Sequence, residues 1–222
     1  MDYLHTHPNA VVQFHASDMI LYIKSDAAYL VLSQARSCVA SIFNLSNATF
    51  GRPPLNGAIQ VIFKTLQNVV SSVAEAETGG IFISGQKAVP IIATLSELNH
   101  QQPASGTRIS TDSSTAKDFL AANLQQKLSK AFDMRYWWIK DRIKQHKFEL
   151  VWEPVKENRA DYFTKHFLPK HHLIQRQIFL QQAKSNQTVR MCYSVHRYKP
   201  LQNWLLQKPL QTITNRYKPF TS

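Results

Sequence analysis

Hydrophobic and polar positions alternate with a short period early in the chain and a longer one later. Residues 19–24 (Met-Ile-Leu-Tyr-Ile-Lys) form a β-branched and aromatic run that closes at Ser25-Asp26, which predicts a strand. Residues 37–45 predict a second strand. The turn chemistry of residues 51–57, ending in Asn56-Gly57, leads into a third at 58–64, where Ile59, Val61 and Phe63 alternate with Gln60, Ile62 and Lys64. Three successive strands joined by hairpin-type turns make an antiparallel meander.

The period then lengthens. Ser72-Val73-Ala74-Glu75 is a capping box, so a helix starts after Ser72 and runs to about Lys87, weakened by Gly79-Gly80. Pro90 is expected to kink or restart it before a second segment through Leu98. A fourth strand is predicted at 107–111, a short helix at 115–124, and a longer amphipathic helix at 129–145 with Phe132, Tyr136, Ile139 and Ile143 at helical spacing. A fifth strand follows at 148–152, and Asn158 is expected to cap a last helix with Asp161 at its third position. The expected class is α/β, a mixed five-stranded sheet with helices packed on it. From about Gln181 the chain turns Gln-, Lys- and Asn-rich with Pro200, Pro209 and Pro219, and no sustained period survives.

Composition narrows the partners. The net charge of +12 favours a polyanion such as nucleic acid or an anionic surface. Ten of the 26 Lys and Arg and none of the 14 Asp and Glu follow position 161, which leaves only +2 on residues 1–161. The excess therefore belongs to the basic C-terminal stretch. Cys38 and Cys192 are too few for a disulfide framework or a zinc site, which fits a reducing compartment. No window reaches the roughly 18 apolar residues of a membrane span, and the first twenty residues lack a secretory apolar core. The expectation is an intracellular, unsecreted chain with no membrane partner.

Four acids stand out: Asp26, Glu77, Asp112 and Asp161, each placed by the sequence at an element's beginning or end. One carboxylate cannot hold two Mg²⁺ ions, whereas four converging from distant parts of a sheet can. A lone Asp at such a position is more often a cap; four together favour a metal site. Glu77 is preferred to Glu75, because Glu75 is committed to the capping box while Glu77 lies about 200° around the helix. Tyr136-Trp137-Trp138 with Lys140 and Arg142 reads either as a stacking platform or, more simply, as a helix burying Tyr136 and Ile139. Lys127, Lys130 and Arg135 are candidate phosphate contacts on a face that solvation explains equally well. His171-His172 fits solvated surface better than a metal.

The phrases Ser-Asp-Ala-Ala-Tyr (25–29), Ser-Ser-Val-Ala-Glu-Ala-Glu (71–77), Thr-Asp-Ser-Ser-Thr-Ala (111–116), Ser-Lys-Ala-Phe-Asp-Met-Arg-Tyr (129–136) and Ala-Asp-Tyr-Phe-Thr-Lys (160–165) occur in this order. Together they resemble the ribonuclease H domain of copia-type LTR retrotransposon polyproteins. The likeness spans roughly residues 1–175: residues 1–18 resemble the connector after a reverse transcriptase, 19–175 the ribonuclease H-like domain, and 176–222 form a basic, weakly ordered tail. The chain departs from the pattern at Thr78-Gly79-Gly80, Ser113 and Ala131, where such domains commonly carry an aromatic, Asn and His.

The resemblance implies an endonuclease that hydrolyses the RNA strand of RNA–DNA hybrids with two Mg²⁺ ions, Mn²⁺ substituting. Asp26, Glu77, Asp112 and Asp161 would be both catalytic and metal-binding, and Lys130 and Arg135 would touch nucleic acid. The implied partners are the hybrid and the reverse transcriptase domain of the same polyprotein. A monomer is expected for the isolated domain, in the cytoplasm within a virus-like particle or in the nucleus. Two further readings stand beside this one: a decayed retroelement remnant that binds nucleic acid without cutting, and a structural scaffold. An integrase or transposase core fits less well, since a Glu on the first helix and an Asp on the last are not its arrangement.

Overall fold

The protein was analysed as a computed structural model that describes residues 9–47, 56–121 and 130–182. The chain divides into two units, Met1–Ala183 and Lys184–Ser222, and every described residue lies in the first. The elements in chain order are β1 (Ala10–Val11), β2 (Ile20–Leu32), β3 (Arg36–Ser46), β4 (Ala58–Thr65), α1 (Val73–Glu97), β5 (Thr107–Thr111) and α2 (Ser114–Ala121). They continue with α3 (Lys130–Lys144), β6 (Phe148–Trp152), α4 (Asp161–Thr164), α5 (Pro169–Phe179) and β7 (Gln181–Gln182).

Five strands form one mixed sheet in the order β4-β3-β2-β5-β6. The first three pair antiparallel as the meander predicted, while β5 runs parallel to β2 and β6 parallel to β5. A parallel neighbour needs a crossover, and α1 supplies it between β4 and β5. Central β2 is buried from Leu21 to Ala28, because both of its faces are covered. On one face Leu21, Ile23, Phe43 and Ile109 pack against Ile81, Tyr136 and Ile139. On the other, Ala40 and Ile42 meet Ala160, Phe163 and Phe179.

Several expectations shift. The strand expected to end at Ser25-Asp26 continues to Leu32, because β3 goes on satisfying its backbone, with Asp26 opposite Ala40. Asp26 is thus mid-strand, just past the parallel pairing with β5, whose last rung is Lys24 and Ser110. Glu77 likewise lies inside its helix rather than at its beginning. Pro90 does not divide α1, which is one helix of 25 residues. Proline removes a single amide donor, and the Thr94 hydroxyl donates to the Pro90 carbonyl at 3.0 Å one turn later.

Gly79-Gly80 is no weak point. Both glycines are buried, and a Cβ on Gly80 would come within 3.2 Å of Ser25 Oγ and 3.4 Å of Val39 Cγ1. The missing side chain lets α1 approach the sheet. Ser72 caps α1 as predicted, accepting from Glu75 N at 3.1 Å, but the Glu75 carboxylate reaches back to Ser71 N rather than to the cap residue. Asn158 is not the cap of the last acid-bearing helix: Ala160 precedes α4, and the Asn158 side chain turns to the sheet. A further helix, α5, crosses position 175, and β7 pairs antiparallel with β1 near the start of the chain.

Candidate metal centre

Three of the four predicted acids meet. Asp26 projects from mid-β2, Glu77 from the second turn of α1 and Asp112 from the residue after β5. Each contributes one carboxylate oxygen to a set lying within 4.8 Å of one another. Asp26 and Glu77 are only 2% and 4% exposed, and Asp112 is half-buried. Local sequence explains the convergence. The small residues at Ser25 and Gly80 draw α1 onto β2, and Ser84 Oγ, bonded to Ser25 Oγ at 3.2 Å and to Ser41 Oγ at 2.6 Å, fixes that approach. Ser113 accepts from Ala116 N at 3.1 Å as α2 begins, and Trp152 Nε1 donates to the Asp112 carbonyl at 2.9 Å, so the Asp112 backbone is held from two sides.

Asp161 lies outside this close set. It opens α4, and its Oδ1 accepts from the Lys165 ammonium four residues on. Its charge is nonetheless felt at both Asp26 and Asp112, so it borders the cluster. Arg135 lies with its guanidinium over the Phe82 ring at 5.8 Å. Lys130 opens α3, but its side chain lies outside the described residues, as does all of Lys127. Of the two readings of the aromatic stretch, burial follows the simpler one: Tyr136 and Ile139 are core, and Trp137 is half exposed with Lys140 over its ring. His171, half-buried, stacks on Phe167, and His172 is exposed and bonds to the Tyr162 hydroxyl, in keeping with a surface position.

Three residues escaped the sequence argument. Thr164 donates its hydroxyl to Asp26 Oδ2 and Asn158 Nδ2 donates to Asp26 Oδ1 at 3.4 Å, so both carboxylate oxygens are gripped from α4 and the turn before it. Asn158 also donates to the Ser25 carbonyl at 3.0 Å and accepts from Ala160 N, tying that turn to β2. Lys165 is the third, an ammonium beside a group of acids.

The electrostatics are those of crowded, buried anions. Burial, then repulsion from Asp112 and Asp161, push the Asp26 carboxyl up to about 6 despite its bond from Thr164. Burial, reinforced by Asp26 and Asp112, pushes Glu77 up to about 9. Burial raises Asp112 as well, and Lys165 tempers all three. For Lys165 itself burial works in the opposite sense, yet its bond to Asp161 and the nearby acids hold the ammonium above its ordinary range. Glu77 Oε2 is fully buried and finds no hydrogen-bond partner among the described residues.

A hard divalent cation fits this donor set. Three carboxylate oxygens from separate elements are the ligands Mg²⁺ or Mn²⁺ takes, and a cation would satisfy the orphaned Glu77 oxygen while removing the repulsion.

No protein-family model matches the chain, and no curated protein matches it either. Among solved structures, an RNase H1 isolated from compost by a metagenomic approach is 11% identical with a TM-score of 0.47, over 65% of this chain and 92% of that one. The N-terminal RNase H domain of a Mycobacterium tuberculosis protein is 12% identical with a TM-score of 0.44, over 66% and 91%. A foamy viral protease-reverse transcriptase in complex with dsDNA is 13% identical with a TM-score of 0.42, over 69% and 96%. It is the strand order and helix placement of this chain, rather than those likenesses, that define its fold: a mixed five-stranded sheet of the ribonuclease H-like kind.

Proposed function

We propose that the chain is a ribonuclease H-type hydrolase that cuts the RNA strand of RNA–DNA hybrids, using Mg²⁺ or Mn²⁺ held by Asp26, Glu77, Asp112 and Asp161. The observation that carries this reading is the meeting of Asp26, Glu77 and Asp112 oxygens within 4.8 Å from positions up to 86 residues apart. Caps and turn residues have no reason to converge in a buried pocket, where their mutual repulsion is costly. The ordered phrases around the four acids support the finer assignment, a copia-type retrotransposon polyprotein with a reverse transcriptase domain as neighbour.

Asp26, Glu77, Asp112 and Asp161 would hold the metal ions, which when bound would supply water activation and charge stabilisation for an in-line displacement at phosphorus. The protein's own contribution is positional. Thr164 and Asn158 fix the orientation of the Asp26 carboxylate, so that its oxygens need no reordering when a cation arrives. Lys165 counters the cluster's charge, and its bond to Asp161 keeps that carboxylate at the border of the site. The Trp152 bond to the Asp112 backbone restrains the third ligand against the end of β6.

The direct test is cleavage of a labelled RNA–DNA hybrid with and without Mg²⁺. Wild type is expected to cut the RNA strand only with the cation, and Asp26→Asn and Asp112→Asn to lose the activity. If wild type is as inert as both variants while still binding the hybrid, the decayed-remnant reading replaces this one.

A further inference from the structure

A cavity of about 590 Å³ opens on the sheet face that carries Asp26, between the N-terminal segment around His15, strands β2 to β4, and the stretch from Arg159 to Leu180. Strand alternation sets its place. Asp26 pairs with Ala40, Lys24 with Ile42 and Tyr22 with Asn44, and side chains two apart along a strand share a face. Asn44 thus lies four residues along the strand from Asp26's rung, about 13 Å away on the same face.

Three features of this cavity restrict its occupant. Its walls are mainly apolar, with Ile42, Val61 and Phe163 among them, which suits a flat, uncharged body. Asn44, only 6% exposed, presents its side chain to this space and makes no side-chain hydrogen bond to a described residue. A carboxamide that faces the cavity offers one donor and one acceptor to an occupant, and a hydrocarbon ligand would cover both without pairing them. Finally, Lys24, Arg159 and Arg176 line the cavity while no acidic side chain does, among the described residues. Lys24 is already paired with Glu153, whereas Arg159 makes no ion pair with a described residue. A ligand therefore needs a planar body, an edge carrying a donor and an acceptor side by side, and an anionic group.

From these we infer that the cavity binds an adenine nucleotide, its base edge on the Asn44 carboxamide, its ring between Val61 and Phe163, and its phosphate on Arg159. Asn is matched to adenine because its amide offers an acceptor and a donor in the spacing of N6 and N7. The planar guanidinium of Arg159 takes a phosphate in two parallel bonds. The nucleotide can be free or be the unpaired end of a strand, and the site is separate from the carboxylate cluster.

The experiment is isothermal titration of the whole chain in EDTA, so that its outcome does not depend on whether the carboxylate cluster binds metal or cuts. The probes are AMP, adenosine, inorganic phosphate, and RNA–DNA hybrids that are blunt or carry a single 5′-phosphorylated adenine overhang. AMP is expected to bind one to one, with adenosine and phosphate each weaker by about tenfold or more. Asn44→Leu and Arg159→Ala should weaken AMP by about tenfold. Val61→Trp, at a position 43% exposed, should abolish binding by filling the space, with retention of the wild-type urea midpoint checking that the variant folds. Preference for the overhang hybrid over both AMP and the blunt hybrid assigns the site to a strand end; AMP binding as tight as the overhang's assigns it to the free nucleotide. Absence of saturable binding by both, or binding indifferent to Val61→Trp and Arg159→Ala, overturns the proposal.

Discussion

Replacing Glu77 with Gln should stabilise the metal-free protein at neutral pH, and by an amount that grows with pH. An unfolded glutamate ionises near 4.5, whereas the folded Glu77 carboxyl does so only at about 9, held up by burial and then by Asp26 and Asp112. Between those values the native state keeps a proton that the unfolded state has released, so raising the pH draws the chain toward unfolding. Stability tied to this group is complete below pH 4.5 and is lost progressively as pH climbs toward 9. Each pH unit in that window costs about 1.4 kcal/mol, so the loss at pH 7 is about 3 kcal/mol. That is a large share of the roughly 5–15 kcal/mol that holds an ordinary domain together. Glu77→Gln has no proton to hold or release. Its advantage over wild type should be under about 1 kcal/mol at pH 5 and about 3 kcal/mol at pH 7, read from urea unfolding in EDTA. A difference between the two proteins that stays constant from pH 5 to pH 8 would refute the reasoning, since only a buried, proton-holding carboxyl gives that slope.

The remaining predictions use the same elements. Asp26→Asn should flatten a second, lower segment of the profile, between the ordinary 3.8 and about 6, worth about 3 kcal/mol once pH exceeds that window. Saturating Mn²⁺ should largely cancel the cost of each carboxylate: at a hundred times its Kd the cation adds about 2.7 kcal/mol to wild type, and a thermal melt should show no such gain in Asp26→Asn or Asp112→Asn. Gly80→Val should destabilise by about 1–3 kcal/mol, because its Cβ would press on Ser25 Oγ and Val39, while Gly79→Ala, with only Leu66 at 3.4 Å, should be neutral or stabilising in the same unfolding assay. Ser72→Ala should cost about 1 kcal/mol through loss of the cap on α1, seen as a lowered urea midpoint.

Local chemistry made much of the fold readable in advance. The edges of β5 and β6 follow from short β-branched runs bounded by Gly106, Ser113 and Pro154, and the start of α1 follows from Ser72. What could not be read is whatever depends on a partner far along the chain. The end of β2 is set by its pairing with β3, so a run that looks complete at Asp26 continues as long as β3 supplies backbone partners. Pro90 and the Gly79-Gly80 pair carry ordinary helix penalties, but α1 is held by its packing on the sheet, which outweighs them. The nucleotide cavity draws its walls from segments scattered between Val12 and Leu180, so no single stretch announces it.

Thr164 and Lys165 belong to a middle case, in which a signal existed in the sequence. A helix that opens at Asp161 brings positions three and four residues later onto its side, and the Asp161 carbonyl accepts from Thr164 Oγ1 at 3.2 Å while Lys165 bonds its carboxylate. If Asp161 is to stand near Asp26, residues 164 and 165 must stand there too, and the only groups they offer are a hydroxyl donor and an ammonium. Both are groups that crowded carboxylates recruit, and Thr164 indeed lies 138 residues from Asp26 in sequence yet donates to it. The spacing of Ala-Asp-Tyr-Phe-Thr-Lys therefore encodes more than its one acid. It delivers a carboxylate at the border of the cluster, a donor that orients Asp26, and a counter-charge, all from one turn of helix and the residue that ends it.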